Sequence, residues 1–163
     1  MRRVEGTNNV KLLECINPVK DRWHVRWDVQ QGEDGSATYM EETLSHKPSE
    51  DEIKSLITGW YNTETNLQIL RGFVWKDIPV WLSTENQNNF KVAHDLALQT
   101  DGATLPVKFK LGEDADGQPL YFMFEDLETL TDFYIKSVKH VQDTLSGGWE
   151  MKDNFNPAEY RTE

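Results

Sequence analysis

The amino-acid sequence predicts an α+β fold made of three consecutive units, each a β-hairpin followed by a helix. Two observations support this prediction. Paired segments place apolar residues at every second position, which is typical of strands with one buried face. Each pair precedes a stretch in which apolar residues recur every three or four positions, which indicates an amphipathic helix. We therefore expect one or more antiparallel sheets packed against three helices.

The first hairpin-helix unit is predicted over residues 1–71. Apolar residues alternate over residues 23–30, and Asp34-Gly35 is a dipeptide typical of hairpin turns. Ser49 and Glu52 form a capping box, which predicts a helix start, and Gly72 predicts its end. The first ten residues are expected to be irregular, and residues 10–16 are a candidate for an extra strand.

The other two units are predicted over residues 72–153, in one compact domain with the first. Short strands carrying Trp75 and Trp81 flank Lys76-Asp77, and a helix follows. In the last hairpin, apolar residues recur at every second position over residues 107–111 and 120–124. The helix that follows is expected to stop at Gly147-Gly148. Residues 154–163 read as a polar tail, with Trp149, Phe155 and Tyr160 as candidate anchors.

The chain carries a net charge of −11, and this charge is localised. Residues 31–52 and residues 113–132 hold seven acidic residues each, and the second run contains no lysine or arginine. Such runs disfavour direct binding to nucleic-acid phosphates. They are typical of turns and helix starts, where they favour solubility and the helix dipole. A nucleic-acid mimic or a contact for a basic partner is the alternative interpretation.

Targeting and redox features are few. Met1-Arg2-Arg3 is not followed by an apolar run, so the sequence predicts neither a secretory signal nor a membrane span. The single cysteine, Cys15, is interpreted as a small apolar residue on a strand, and its isolation suits a reducing compartment.

No pattern of catalytic or metal-binding residues emerges. The four histidines are scattered, and His94 falls on an apolar helix face, which favours a structural role. The acidic segment at residues 112–117 fails the spacing of a calcium-binding EF-hand and is interpreted as a hairpin turn. Phosphate-binding loops and nucleophile motifs are missing from the sequence. We therefore predict a protein that is not an enzyme and has no cofactor and no metal site.

Aromatic residues on the second hairpin are the main functional indication. By strand alternation, Trp81 faces away from Val80 and Leu82. If one face of this hairpin covers helices, one of the two tryptophans is half exposed, and exposed aromatics mark binding sites. We predict Trp75, Trp81 and Asp77 as partner-binding residues, although tryptophan side chains are usually buried.

Residues 72–153 resemble a domain of unknown function found in phage and prophage tail proteins. The resemblance is carried by a short hairpin, a polar helix start and a later helix, quoted as Gly72-Phe73-Val74-Trp75, Val80-Trp81-Leu82, Ser83-Thr84-Glu85-Asn86-Gln87-Asn88-Asn89-Phe90, Leu127-Glu128-Thr129-Leu130 and His140-Val141-Gln142. The segment Trp23-His24-Val25-Arg26-Trp27 is similar to what accompanies that domain in phages and prophages of gut Bacteroidetes.

The resemblance implies a virion or tail-associated protein that contacts other virion proteins or a second copy of itself, and carries over no catalytic residue. It implies the host cytoplasm during assembly, and the virion, as locations. The alternatives are a tail or fibre assembly chaperone, an acidic inhibitor that mimics DNA, and a glycan-binding module that uses Trp75 or Trp81.

Overall fold

A computed structural model describes residues 1–161 and confirms the predicted α+β class. The eight strands are β1 (Arg2–Thr7), β2 (Leu13–Asn17), β3 (Arg22–Gln31), β4 (Ser36–Leu44), β5 (Phe73–Trp75), β6 (Ile78–Val80), β7 (Val107–Glu113) and β8 (Pro119–Phe124). The helices are α1 (Glu50–Arg71), α2 (Thr84–Gln99), α3 (Leu127–Asp153) and a short 3-10 helix (Pro157–Tyr160).

The elements divide into two compact units. The first unit holds residues 1–60 and the described residues from 152 to 161, and the second unit holds Tyr61–Met151. These boundaries lie inside α1 and α3, whereas the predicted boundaries are at residues 71 and 153. Among the described helices, none combines the length and the apolar character that a bilayer crossing requires.

The first unit contains a four-stranded antiparallel sheet in the order β1-β4-β3-β2. The predicted hairpin is confirmed as β3 and β4, and Gly35 supplies the positive φ of 81° in its turn. The expectation of an irregular start is wrong, because β1 occupies Arg2–Thr7. The side chains of β1 are mostly exposed at a sheet edge, so its sequence lacks the apolar alternation that predicts a strand.

Cys15 lies on a strand as predicted, but its side chain is exposed. Its strand, β2, is paired on one side only and forms the second edge of the sheet. At an edge, a residue of low polarity does not have to be buried in order to fit the strand.

One face of this sheet buries an ion-pair network. The Arg26 side chain donates from Nε to the Glu41 carboxylate and from Nη1 to the Glu14 carboxylate, both at 2.8 Å. Arg26 and Glu41 are 7% and 4% exposed. The Tyr160 hydroxyl, on the 3-10 helix, donates to the Arg26 carbonyl oxygen at 3.0 Å. Tyr160 therefore anchors the segment that the sequence predicts to be a polar tail. Residues 162 and 163 of that segment lie outside the described residues.

The capping box at the start of α1 is confirmed. The Glu52 amide donates to Ser49 Oγ at 3.2 Å, and the Ser49 amide donates to the Glu52 carboxylate at 2.8 Å. The hydrogen bond from the Ser49 amide lowers the pKa of Glu52, and His46 lowers it further. The helix ends at Arg71, directly before Gly72, as the sequence predicts.

The second unit consists of the hairpins β5–β6 and β7–β8 with the helices that follow them. The amide of Trp81 donates to the carbonyl of Leu111 at 2.7 Å, which joins the end of the hairpin β5–β6 to the hairpin β7–β8. Aromatic and aliphatic side chains from both hairpins and from α2 and α3 form one core, which is built from Phe73, Trp75, Val80, Leu82, Phe90, Ala97, Leu111, Phe124, Leu130 and Phe133.

Helix α3 does not stop at Gly147-Gly148 but continues to Asp153, so that prediction is wrong. Gly148 is buried, and a Cβ at this position would overlap Thr65 Oγ1 on α1. The glycine therefore permits a close approach of two helices, whereas a Cβ at Gly147 would meet nothing within 4 Å.

The two glycines are expected to respond oppositely to alanine. Gly147→Ala should raise the free energy of unfolding by about 0.5–1 kcal/mol, because alanine favours an exposed helix interior. Gly148→Ala should lower it by about 1–3 kcal/mol, because the new methyl group forces Thr65 or its helix to move. Urea denaturation measures both values. Equal stabilisation by the two substitutions would contradict the close approach.

Candidate partner-binding face

The structure separates the three residues predicted to bind a partner. Trp75 is buried, with 3% of its surface exposed, so its ring is not available to a partner. Asp77 is exposed in the hairpin turn and has a φ of 62°. Trp81 is 36% exposed and lies one residue beyond β6, which ends at Val80. The alternation that points Trp81 away from Val80 and Leu82 is confirmed, since those two side chains are buried.

Trp75 has a structural role in the second unit. Its ring packs edge-on against Phe122 and Phe133, with centroid distances of 4.9 and 5.1 Å. Its indole N–H donates to the Asp132 carboxylate at 2.9 Å. Hydrogen bonds from Lys136 and then from Trp75 lower the pKa of Asp132, which favours the charged carboxylate as their acceptor. The polar end of the buried ring is thereby satisfied.

The exposed aromatic surface lies around Trp81 and on the hairpin β7–β8. We define the aromatic–lysine face as Trp81, Lys108, Lys110, Tyr121 and Met123. Lys110 is directly opposite Tyr121 across the hairpin, and Lys108 is opposite Met123. Tyr121 is 55% exposed and Met123 is 45% exposed. The five side chains form a continuous patch, because Lys110 also reaches Trp81.

Strand alternation explains why this face carries these residues. On β7, Val107, Phe109 and Leu111 turn toward the core while the two lysines turn outward. The register shifts between Lys110 and Gly112, where a Cβ would overlap the carbonyl oxygen of Pro79. Gly112 therefore lets the end of the hairpin β5–β6 approach β7, which places Trp81 beside Lys110.

The lysines of the face lie over its aromatic rings. Lys108 Nζ is 4.5 Å from the Tyr121 ring centroid, and Lys110 Nζ is 5.5 Å from that of Trp81. Both distances fall within the range of a cation–π attraction. Lys110 also pairs with Glu113 at 2.7 Å, whereas Lys108 has no ion-pair partner among residues 1–161. The face is therefore apolar at its rings and positive between them.

The residues predicted from the sequence to bind a partner do not include Lys108, Lys110, Tyr121 and Met123. The alternation on both strands indicates the direction of these side chains. What was lacking is the cross-strand register, which sets Lys110 beside Tyr121, and the contact between the two hairpins.

Comparison with known proteins gives no family assignment. No family model, curated protein or solved structure significantly matches the chain. The resemblance to phage tail proteins stays a prediction, and the site must be interpreted from its own chemistry.

The acidic loop at residues 112–117 has hydrogen bonds that account for its carboxylate at Asp114. Within residues 1–161, no group of three or more histidine, cysteine or acidic residues is placed to hold a metal ion. In the acidic loop, Asp114 Oδ1 accepts hydrogen bonds from the amides of Asp116 and Gln118, at 2.9 and 2.8 Å. This carboxylate closes the turn of the last hairpin, as interpreted from the sequence.

His94 lies on the buried face of α2, as the sequence predicts, with 7% of its surface exposed. Its ring stacks on Tyr134 at a centroid distance of 4.5 Å, and Nε2 is 3.1 Å from Thr131 Oγ1. Its Nδ1 is buried, with no hydrogen-bond partner in the described residues. Beyond Tyr134, a shallow groove of about 300 Å³ separates α2 from α3. Lys91 and Ser137 also line this groove, and the Ser137 hydroxyl donates to the Tyr134 carbonyl oxygen at 2.8 Å.

Proposed function

We propose that this chain is a non-enzymatic protein that acts by protein–protein contact through its aromatic–lysine face. One observation carries the proposal: two aromatic rings, a methionine and two lysines are exposed together on a β-surface whose opposite side is a packed core. Aromatic residues and methionine are enriched at protein interfaces. Aromatic rings in particular supply most of the strong contacts found by alanine scanning.

The packing behind the face supports this function. Phe109 and Phe122 project inward from the same strands that carry the exposed residues, and both pack against the core. A rigid strand loses little conformational freedom on binding, which favours affinity.

The setting we propose is a phage particle or its tail, supported by the resemblance of residues 72–153 to tail proteins. The partner is then another virion protein or a second copy of this chain. Within the same setting, an assembly chaperone that leaves the finished particle is the alternative, and mass spectrometry of purified virions distinguishes the two.

A glycan-binding module is the second candidate function. The exposed ring of Trp81, with Tyr121 exposed on the same face, supports it, because sugar rings stack on exposed aromatics. Titration with surface polysaccharides, followed by intrinsic tryptophan fluorescence, tests it. No change in fluorescence at saturating polysaccharide would contradict it.

The main proposal predicts that Trp81→Ala combined with Tyr121→Ala abolishes partner contact without unfolding the chain. We expect a protein that co-purifies with the tagged wild-type chain, from cells assembling the phage, to be reduced at least about tenfold with the variant. The measurement is quantitative mass spectrometry of the purified complexes, and circular dichroism checks the fold.

Trp149→Ala is the matched control. Trp149 is 55% exposed but lies on α3, outside the face, so its removal should leave co-purification unchanged. Equal retention of the partner by all variants would contradict the proposal. Absence of the chain from virions together with a strictly monomeric state in light scattering would count against the phage structural setting.

A further inference from the structure

The charges on the aromatic–lysine face narrow the chemistry of its partner. The chain as a whole carries −11, yet this face presents two ammonium groups on one strand. Lys110 is already paired with Glu113, and Lys108 has no carboxylate partner among residues 1–161. A partner that supplies carboxylates would form ion pairs with both ammonium groups, while its aliphatic atoms cover the aromatic rings.

The spacing of the lysines matches that of alternate residues in an extended peptide. Lys108 and Lys110 flank the inward-facing Phe109, so their side chains leave the same face of β7 about 6.6 Å apart. Residues two apart in an extended peptide have the same spacing and also share a face. Carboxylates at every second position of such a peptide therefore match both lysines.

The same charges disfavour a nucleic-acid strand. Seven acidic residues lie in residues 113–132, beginning with Glu113 at the end of β7. A nucleic acid carries a phosphate at every nucleotide and is repelled by such a run, whereas a short acidic peptide brings only a few charges.

We propose that the aromatic–lysine face binds an extended acidic segment of a partner protein, with carboxylates at alternate positions. This inference rests on the proposed function, since it names the partner of the same face. The segment lies across Trp81 and Tyr121, and its carboxylates bind Lys108 and Lys110. Glu113 competes for Lys110, so the face is partly neutralised until the partner displaces or shares that contact.

The experiment titrates the full chain with a peptide of alternating glutamate and threonine, about ten residues long, the length of a long strand. Calorimetry at low salt measures the dissociation constant. We expect Lys108→Gln to weaken binding about two- to fivefold, as for one exposed charge pair, and Glu113→Gln to strengthen it by a similar factor. Trp81→Ala should weaken binding further. Added salt should weaken peptide binding by the wild-type chain and by every variant.

Two control ligands and the variants decide the outcome. A peptide with glutamine in place of glutamate should bind much more weakly than the acidic peptide. Equal binding of the two peptides would overturn the charge assignment while leaving the contact face standing. Tighter binding of an oligothymidylate of the same length would assign the face to single-stranded nucleic acid instead.

Absence of binding by the acidic peptide would also overturn the inference. The proposed function would then still depend on the co-purification result, because that measurement uses the native partner. Opposite effects of Lys108→Gln and Glu113→Gln cannot arise from a general loss of folding, because unfolding would weaken binding in both variants. Lys108 is exposed and Glu113 is half-exposed, so neither substitution changes a buried side chain.

Discussion

Replacing Phe133 with alanine is expected to lower the free energy of unfolding by about 3–5 kcal/mol. Its side chain, on α3, has no exposed surface. The ring packs against Trp75, Phe90 and Phe124 at centroid distances of 5.1, 4.9 and 5.0 Å. These neighbours lie on β5, on α2 and on β8. The cavity left by alanine would therefore have to be filled by several elements at once.

Urea denaturation followed by far-UV circular dichroism measures the effect. Ile135→Ala is the matched control, because Ile135 lies two residues away on the same helix and is 58% exposed. Its substitution should change stability by less than about 0.5 kcal/mol. A loss below about 1 kcal/mol for Phe133→Ala would contradict the central position of this ring in the core.

The parts of the fold that the sequence predicts correctly are those with a local physical cause. Strand alternation predicts the hairpins β3–β4 and β7–β8, because apolar residues recur there at every second position. The short strands around Lys76-Asp77 are predicted instead from two apolar segments that flank a polar turn. The helix start at Ser49 follows from two hydrogen bonds between residues three apart in the chain. Such features depend on neighbours along the chain, which the sequence displays.

The predictions that are wrong concern contacts between residues far apart in the chain. Gly148 was interpreted as a helix stop, but what it meets is Thr65 on another helix, and no local pattern shows that. Trp75 and Trp81 looked equivalent on one short hairpin. Only the packing of Trp75 against Phe122 and its bond to Asp132 place it inside, which leaves Trp81 outside.

The candidate site follows the same rule. Alternation gives the outward direction of Lys108 and Tyr121, yet their contact comes from the pairing of β7 with β8. The approach of Trp81 to Lys110 depends further on Gly112, whose missing side chain admits the neighbouring hairpin. A binding face built from two hairpins could therefore be recognised only once their register was known.

Glu41→Gln is expected to lower the free energy of unfolding by about 3 kcal/mol at pH 7, because it leaves the buried Arg26 without its main charged partner. Arg26 Nε donates to Glu41 at 2.8 Å, and the Glu41 side chain is 5% exposed. The more exposed Glu14 still pairs with Arg26, which keeps the loss at the low end of the range for buried pairs.

The loss should also depend on pH in a defined direction. Burial raises the pKa of Glu41, but hydrogen bonds from Arg26 and Arg2 outweigh burial and hold its pKa below its ordinary value of 4.5. A carboxyl group whose pKa falls on folding contributes stability that is fully present above its unfolded pKa. That stability is lost as the pH falls through the folded-state pKa. The difference in stability between the wild-type chain and Glu41→Gln should therefore shrink as the pH falls below 4.5 toward the lowered folded-state pKa.

Urea denaturation at a series of pH values between 7 and 3 tests both the size and the direction of the effect. Glu42→Gln is the control on the next residue. Glu42 pairs with the terminal amine of Met1 at a more exposed position, so its removal should cost less than about 1 kcal/mol. A difference between wild type and Glu41→Gln that stays constant down to pH 3 would show that lost packing, rather than the buried charge pair, accounts for the destabilisation.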